Sequence, residues 1–330
     1  MKTAVIGVGH LGKLHTKMYA QLPSSELIGV YDVNQEQAQT VAGEFKTRAW
    51  SSMEDLIREA DAISVVTSTP HHHDVAMKVI AAGKHLFIEK PITTTLTEAR
   101  AVIDAARSAG VTLQVGHIER FNPAVLALEK YDIKPMFIES HRLAQFKLRG
   151  SDVAVVLDLM IHDIDIILHL VRSPVTRVDA NGVGIVSGSI DIANARLQFE
   201  NGCVANVTAS RISQRPMRKM RIFQENAYLS VDFSEGNCEV FRLASPDEPS
   251  GGLAMMLGQI DVGPVKRNIV YEQPEKPDVN ALSWELDRFL KAAATGTEPP
   301  VTGEDGYRAL EVAQMIIREI QTNLKKIAVV

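Results

Sequence analysis

The segment Gly7-Val8-Gly9-His10-Leu11-Gly12 constrains this chain more than any other. It follows a short apolar run at 3–7 and opens a helical spacing of apolar residues over 10–21. In a strand–turn–helix setting each glycine has a task. The first makes the tight turn, the second lets a pyrophosphate approach the backbone, and the third lets helix and strand pack closely. The N–H groups at the helix start then favour an anion. Glycine spacing alone is a weak signal; the flanking strand and helix make it a dinucleotide fingerprint, with a plain β-turn-α as the lesser reading.

Asp32 stands twenty residues after Gly12, at the end of a second strand over 27–32. A carboxylate there accepts hydrogen bonds from ribose hydroxyls and repels a 2′-phosphate. Val33 and Asn34 supply no cation to hold that phosphate, so NAD is expected over NADP. Asn34 can cap the next helix by itself, which frees Asp32 from that duty.

Strands and helices keep alternating: helix 34–45, strand 62–67, helix 75–82 ended by Gly83, strand 85–89, helix 96–109 closed by Gly110, strand 112–116. This order predicts an α/β Rossmann domain, a doubly wound parallel sheet covered on both faces. After Pro123 the pattern changes. One long helix over about 152–171 precedes strand-like runs at 175–186, 190–200, 203–212, 217–224, 228–233 and 238–243. Asn201-Gly202 between two of them is a strong hairpin signal. Residues 244–263, rich in Gly, Ser and Pro, read as a long loop, and two helices near 279–294 and 303–325 close the chain. The expected division is therefore a Rossmann domain over 1–120 and an α+β domain with a large, mostly antiparallel sheet over 121–330.

At 330 residues the chain suits two cores. A net charge of −5 and 5% aromatics give neither the basic footprint nor the stacking platform of a nucleic-acid binder. Cys203 and Cys238 cannot form a disulfide framework and read as thiols of a reducing, cytoplasmic setting. The chain enters a strand directly, with no apolar leader or cleavage site, so no signal peptide is expected. The apolar stretch 153–170 carries Asp158, His162, Asp163, Asp165 and His169, which a membrane interior would not tolerate. No membrane partner is expected.

Glu89-Lys90-Pro91, following Gly83-Lys84-His85-Leu86-Phe87-Ile88, resembles the G-K-H-V-x-x-E-K-P signature of the glucose-fructose oxidoreductase / inositol dehydrogenase (Gfo/Idh/MocA) family. Asp158-x-x-x-His162 resembles the family's D-x-G-x-H, and the motifs occur in the family's order across nearly the whole chain. The resemblance implies an NAD(P)-dependent dehydrogenase of sugars, cyclitols or sugar nucleotides, with Lys90 beside nicotinamide and substrate. Independent chemistry agrees, because a lysine at the carboxyl edge of a parallel sheet sits where such folds bind ligands. Its ammonium can stabilise developing alkoxide charge. Pro91 fixes the chain direction there, through a cis bond if the family is followed.

His162 is then the expected general base, with Asp158 orienting it or sharing the proton. Four residues apart on a helix, the two share a face. Neutral imidazole accepts the hydroxyl proton as hydride leaves the same carbon, an effect typically worth about 10²–10⁴-fold. The bland reading of one helical histidine is a satisfied core residue. Asp165 and His169 continue the stripe, but such ligands spread over about 16 Å of helix and cannot share one ion. No metal site is expected.

Expected cofactor contacts are Gly7, Gly9, His10, Leu11, Gly12, Asp32, Thr67, Ser68, His72, Glu89, Lys90 and Pro91. Thr67-Ser68 replaces the family's Thr-Pro, His72 matches the histidine that follows, and His71 and His73 read as neighbours pointing elsewhere. Where the family has glycine this chain has Met160, which is expected to narrow the substrate space. His117 and Arg120 lie in His117-Ile118-Glu119-Arg120-Phe121-Asn122-Pro123, similar to the family's R-F-x-P, and are expected to contact substrate or to position the segment. The combination looks like the branch containing UDP-N-acetylglucosamine 3-dehydrogenases, which oxidise a secondary hydroxyl to a 3-keto sugar. A free cyclitol or sugar dehydrogenase similar to inositol 2-dehydrogenase is the alternative. A non-catalytic dinucleotide sensor is the alternative of another class, disfavoured because a sensor needs none of Lys90, Asp158 and His162.

The stretch 211–221 holds Arg211, Arg215, Arg218, Lys219 and Arg221. Arg215 and Arg218 are the expected grips for a substrate diphosphate; a charged, solvated sheet edge is the bland reading. Weak alternation along 203–210 leaves one sheet face needing cover, and the family points to homodimers or homotetramers through it.

Overall fold

The computed structural model describes residues 1–146, 153–247 and 254–327. The chain begins with β1 (Lys2–Ile6), α1 (His10–Gln21), β2 (Glu26–Tyr31), α2 (Gln35–Phe45), α3 (Met53–Glu59), β3 (Ala62–Val65), α4 (His72–Ala81), β4 (His85–Glu89), α5 (Leu96–Ala109) and β5 (Leu113–Gly116). The five strands form a parallel sheet in the order β2-β1-β3-β4-β5. Every residue of β3 and β5 is buried, as a sheet covered on both faces requires. Local chemistry sets the helix ends. Asn34 accepts from Gln37 N at the start of α2, and Thr95 and Glu98 make a reciprocal capping box on α5. Gly110 ends α5 in the left-handed conformation. Outside β2, Val30 bridges to Ala49 in parallel. The Val30 N–H donates to the Arg48 carbonyl and the Trp50 N–H to the Val30 carbonyl. A sixth strand is thus reduced to one bridge.

Next come α6 (Pro123–Leu126), β6 (Phe137–Leu143), a π-helical turn at Val156–Met160 and α7 (Ile161–Val171). Then follow β7 (Val175–Val183), β8 (Ile192–Phe199), β9 (Val204–Ser210), β10 (Met217–Gln224), β11 (Ala227–Asp232), β12 (Asn237–Ala244), β13 (Met255–Val262) and β14 (Val265–Glu272). The chain closes with α8 (Ala281–Thr295) and α9 (Gly303–Ile327). These strands build a nine-stranded sheet, β13-β14-β12-β11-β10-β6-β9-β8-β7, antiparallel except for β6 beside β9. Asn201-Gly202 turns β8 into β9, with Gly202 at φ 87° and the Asn201 side chain accepting from Cys203 N.

Two expectations are corrected. The helix expected from 152 starts later, and its first turn is π rather than α; residue 152 lies outside the described residues. The expected loop at 244–263 ends in β13, whose partner β14 returns through a Gly263-Pro264 turn. Of that loop, residues 248–253 lie outside the described residues. Both faces of β13 are open, so its apolar residues lack the alternation that marks a half-buried strand.

The first compact unit is Met1–Ile118 together with Val279–Leu310; the second is Glu119–Asp278 with Glu311–Val330. The units are therefore not the contiguous halves 1–120 and 121–330. The cause is the apolar stripe of α8: Leu282, Leu286, Phe289 and Leu290 join Val5, Val30 and Phe87 in one core cluster. Phe289 meets Phe87 edge-on at 5.7 Å. In the second unit, Ala205, Val207 and Ala209 are buried while Val204, Asn206 and Thr208 are half-buried, so β9 has a core face and an open face. On the open face runs an in-register aromatic row, Phe137–Phe223–Tyr228–Phe241–Tyr271, with ring centroids 5.0–5.6 Å apart. Among the described residues no helix is long and apolar enough to cross a membrane.

Candidate active site

In the first unit the expected cofactor residues gather at the carboxyl edge of the sheet, where the strand order changes direction between β1 and β3. A Cβ on Gly12 would lie 1.8 Å from the Gly7 carbonyl oxygen, so only glycine lets α1 seat against the turn. A Cβ on Gly9 would meet nothing within 4 Å, leaving open space over the start of α1. No side chain caps that helix. Asp32 accepts from Val8 N at 2.8 Å and from Asn34 N at 2.9 Å, which binds the end of β2 to the glycine-rich turn. His10 and Leu11 are exposed on the first turn of α1. These residues fit a dinucleotide: an open backbone cradle at a helix N-terminus, with a carboxylate at the ribose position.

Glu89, Lys90 and Pro91 follow at the end of β4, with the Lys90–Pro91 bond cis. Glu89 is buried. One carboxylate oxygen lies 3.0 Å from His15 Nε2 and the other accepts from Lys90 N at 3.1 Å. Burial pushes the Glu89 pKa up, but His15 and Lys90 outweigh it and hold the carboxyl below its ordinary range. His72, 1% exposed, has Nδ1 3.0 Å from the Pro91 carbonyl and Nε2 3.0 Å from the Thr67 carbonyl. Burial pushes its pKa down further than these carbonyls and Glu89 push it up. Both ring nitrogens thus face protein backbone. His71 is exposed and His73 pairs with Asp74 at 2.9 Å, so the three histidines occupy three environments.

In the second unit Asp158 lies in the π turn and His162 in the first turn of α7, both half-buried. A π turn inserts one residue into the helical repeat and is frequent at functional sites. Met160 is fully buried in the core of this unit, so its bulk fills the core. The neighbouring carboxylates are structural. Asp163 accepts from Arg142 Nε at 2.6 Å and from Ser140 Oγ at 2.7 Å, both on β6. Arg120 donates to both oxygens of Asp165, at 2.8 and 2.7 Å, and its Nη1 lies 3.1 Å from His169 Nδ1. Arg142 also reaches Glu119 at 2.8 Å. Arg120, expected to touch substrate or position its segment, is therefore committed to α7. His117, just after β5 in the first unit, is buried. Linear spacing gives no sign of His15, Arg142 or Asp163, whose partners are far away in sequence.

Most cations of the basic stretch lie beside carboxylates. Arg211 is buried; it donates to the Val153 carbonyl and lies 3.9 Å from Asp191. Lys219 pairs with Asp232 at 3.1 Å, Arg221 with Glu139 at 3.5 Å, and Arg218 stands 3.9 Å from Glu119. Arg215 is exposed, with no carboxylate in salt-bridge reach among the described residues. Among the described residues no cluster of His, Cys, Asp and Glu could hold a metal ion.

Residues 1–117 match the description "Oxidoreductase family, NAD-binding Rossmann fold" and residues 140–230 the "GFO/IDH/MocA C-terminal domain". UDP-N-acetylglucosamine 3-dehydrogenase of Acidithiobacillus ferrooxidans is 37% identical over 99% of both chains. The chain belongs to the Gfo/Idh/MocA oxidoreductase family. A solved structure of that dehydrogenase matches with TM-score 0.87 and 36% identity over 98% of both chains. The scyllo-inositol 2-dehydrogenase (NAD(+)) of Bacillus subtilis is 31% identical over 64% of this chain and 68% of its own. Levoglucosan dehydrogenase in complex with NADH and levoglucosan, at 19% identity and TM-score 0.81, shares the fold. This Gfo/Idh/MocA member is an NAD-dependent dehydrogenase with an NAD-binding Rossmann domain at 1–117.

Proposed function

We propose that the enzyme oxidises a secondary hydroxyl of a nucleotide sugar, with UDP-N-acetylglucosamine and its 3-hydroxyl as the first substrate to test. The observation that carries this reading is the 37% identity, along 99% of both chains, to a dehydrogenase of that substrate. NAD, when bound, supplies the hydride acceptor. The turn closed by Gly7 and Gly12 receives its pyrophosphate at Gly9, and Asp32 receives the adenosine ribose. Lys90 donates to the reacting oxygen and stabilises the charge that develops there. His162 takes the hydroxyl proton, and Asp158 orients the imidazole. A half-buried histidine on a helix anchored by two arginine–aspartate pairs is suited to that role, since a fixed base loses little on reaching its reactive geometry.

The test follows NADH formation with UDP-N-acetylglucosamine against free N-acetylglucosamine and the inositols. Activity confined to the nucleotide sugar, lost by orders of magnitude in His162→Ala and Lys90→Ala with NAD still bound, supports the proposal. Turnover of inositol alone favours the cyclitol reading, which the scyllo-inositol relative motivates. NAD binding without turnover of any of them would leave the sensor reading.

A second copy of the chain is the proposed partner, in a homodimer or homotetramer formed in the cytoplasm. The open sheet face carries the aromatic row described above. Beside it on the same face lies the in-register row Asp179–Arg196–Asn206–Glu139–Arg221–Ser230–Glu239, whose charges alternate in sign. An apolar stripe flanked by alternating charges is self-complementary about a two-fold axis. Light scattering that finds a monomer at micromolar concentration would contradict this.

A further inference from the structure

The carboxyl edge of the first unit is held by a chain of backbone contacts in which one side chain is the link. Gly7 begins it. A Cβ there would lie 2.7 Å from Thr67 N and 2.8 Å from the Val66 carbonyl, so the segment after β3 rests directly on the glycine-rich turn. Val66 N donates to the Ile6 carbonyl at 2.8 Å, extending β3 against β1. From Thr67 the next link is His72, the first residue of α4, which touches the Thr67 and Pro91 carbonyls through opposite sides of its ring, each at 3.0 Å. Pro91 follows Lys90 directly. A residue needed only for packing could be leucine or phenylalanine at this depth; ring nitrogens each 3.0 Å from a carbonyl oxygen call for an imidazole, which when neutral donates its one N–H to one carbonyl and sets its other edge against the second. Side chains with a single polar end, such as Asn or Ser, cannot reach acceptors on both sides.

We propose that His72 is a positioning residue: by bridging Thr67 and Pro91 it sets Lys90 in register with the glycine-rich turn that receives NAD. It touches neither cofactor nor substrate. Its effect on turnover passes through Lys90, and the inference rests on the role assigned to that lysine above. Asp32 and Gly9, the residues proposed to receive the ribose and pyrophosphate, make no contact with His72; Asp32 bonds to Val8 N and Asn34 N instead. Loss of the bridge should therefore lower kcat more than it weakens NAD.

The test compares His72→Phe, which keeps the ring volume and removes both ring nitrogens, with His72→Asn, whose shorter polar end can reach only one of the two carbonyls. Amide hydrogen exchange is followed without substrate, and kcat, KM and the NAD dissociation constant are measured alongside. In His72→Phe, exchange should accelerate tenfold or more at both 67–71 and 90–94 while the protection of β1, β4 and α5 is retained. NAD should weaken no more than threefold and kcat should fall at least tenfold. His72→Asn should loosen one of the two segments and lie between wild type and His72→Phe in kcat. Unchanged exchange at either segment in His72→Phe, or a kcat within twofold of wild type despite loosened segments, overturns the proposal. Should His72→Phe not fold, the Asn variant decides, because one-sided loosening with reduced kcat is specific to a bridge. If the wild-type enzyme turned over no nucleotide sugar, the substrate reading would fall, while the exchange data would still decide whether His72 joins the two segments.

Discussion

Arg120 grips Asp165 through two parallel hydrogen bonds, Nε to Oδ2 at 2.8 Å and Nη2 to Oδ1 at 2.7 Å, with both side chains buried. The fork geometry commits the guanidinium to the helix that carries His162. Removing one partner leaves a buried charge alone, so Arg120→Ala or Asp165→Ala should each cost about 3–5 kcal/mol. Arg120→Lys should recover only part of this, since an ammonium cannot make the paired contact. Denaturant unfolding curves read the effect; a loss under about 0.5 kcal/mol, as for an ordinary surface change, would refute it.

Asp32 is the residue proposed to decide cofactor choice. NAD should bind at least tenfold more tightly than NADP, about 1.4 kcal/mol. Asp32→Ser with Val33→Arg should shift the preference toward NADP, because Val33 is 88% exposed beside the ribose position. The double variant should also weaken NAD itself, since Asp32 holds the Val8 N–H of the glycine-rich turn. Titrations of both nucleotides check this; equal affinities in the wild type would contradict it.

Within the former basic stretch the two arginines should now separate. Arg215 is exposed with no carboxylate in reach among the described residues, whereas Arg218 stands 3.9 Å from Glu119. If a substrate diphosphate is gripped here, Arg215→Ala should raise KM for the nucleotide sugar several-fold, in a salt-dependent way, and leave NAD affinity unchanged. Arg218→Ala should have the smaller effect. No change in either variant would make the stretch a sheet edge only.

Asp191 is fully buried, and Oδ2 accepts from the backbone N–H groups of Ile185, Val186 and Ser187 at 2.7–3.0 Å. Burial raises its pKa, but the Ser187 hydroxyl and these N–H groups outweigh it and hold the carboxyl far below its usual range. A carboxyl depressed in the folded state stabilises fully above its unfolded pKa, about 3.8, and loses that contribution as pH falls toward the native value. Asp191→Asn should therefore cost about 1.5–3 kcal/mol at neutral pH and flatten the acid limb of stability below about pH 4. Unfolding curves between acid and neutral pH test both.

The thiols offer a simple check on the packing of the second unit. Burial pushes both Cys203 and Cys238 up to about 11, so neither should react with an alkylating reagent at neutral pH until the protein is unfolded. Rapid native labelling of either would contradict their placement.

Much of the first unit was legible because its signals are local. Gly110, Asn34 and the Thr95/Glu98 pair act within one turn of chain, and the glycine-rich turn announces its own geometry. What escaped depends on distant partners. The anchoring of Asp163 by Arg142 and Ser140 joins residues over twenty positions apart that share no motif. Strand β13 escaped because both of its faces are open, so no alternation marks it. The π turn beneath Asp158 escaped because a hydrophobic repeat cannot report one inserted residue. Motif matching singled out Lys90, His162 and His72, but it could not tell that the His72 ring lies 3.0 Å from two backbone carbonyls.

The return of Val279–Leu310 to the first unit bears on how the protein is made. Leu282, Leu286, Phe289 and Leu290 complete a core whose other members, such as Val5 and Phe87, leave the ribosome first. About 160 residues of the second unit are synthesised in between, a delay of roughly 8–30 s at elongation rates of about 5–20 residues per second. Through that interval the nascent Rossmann sheet presents an apolar flank, the kind of surface that holding chaperones recognise. A fragment ending near residue 118 would carry the same exposed flank permanently and should aggregate where the full chain does not.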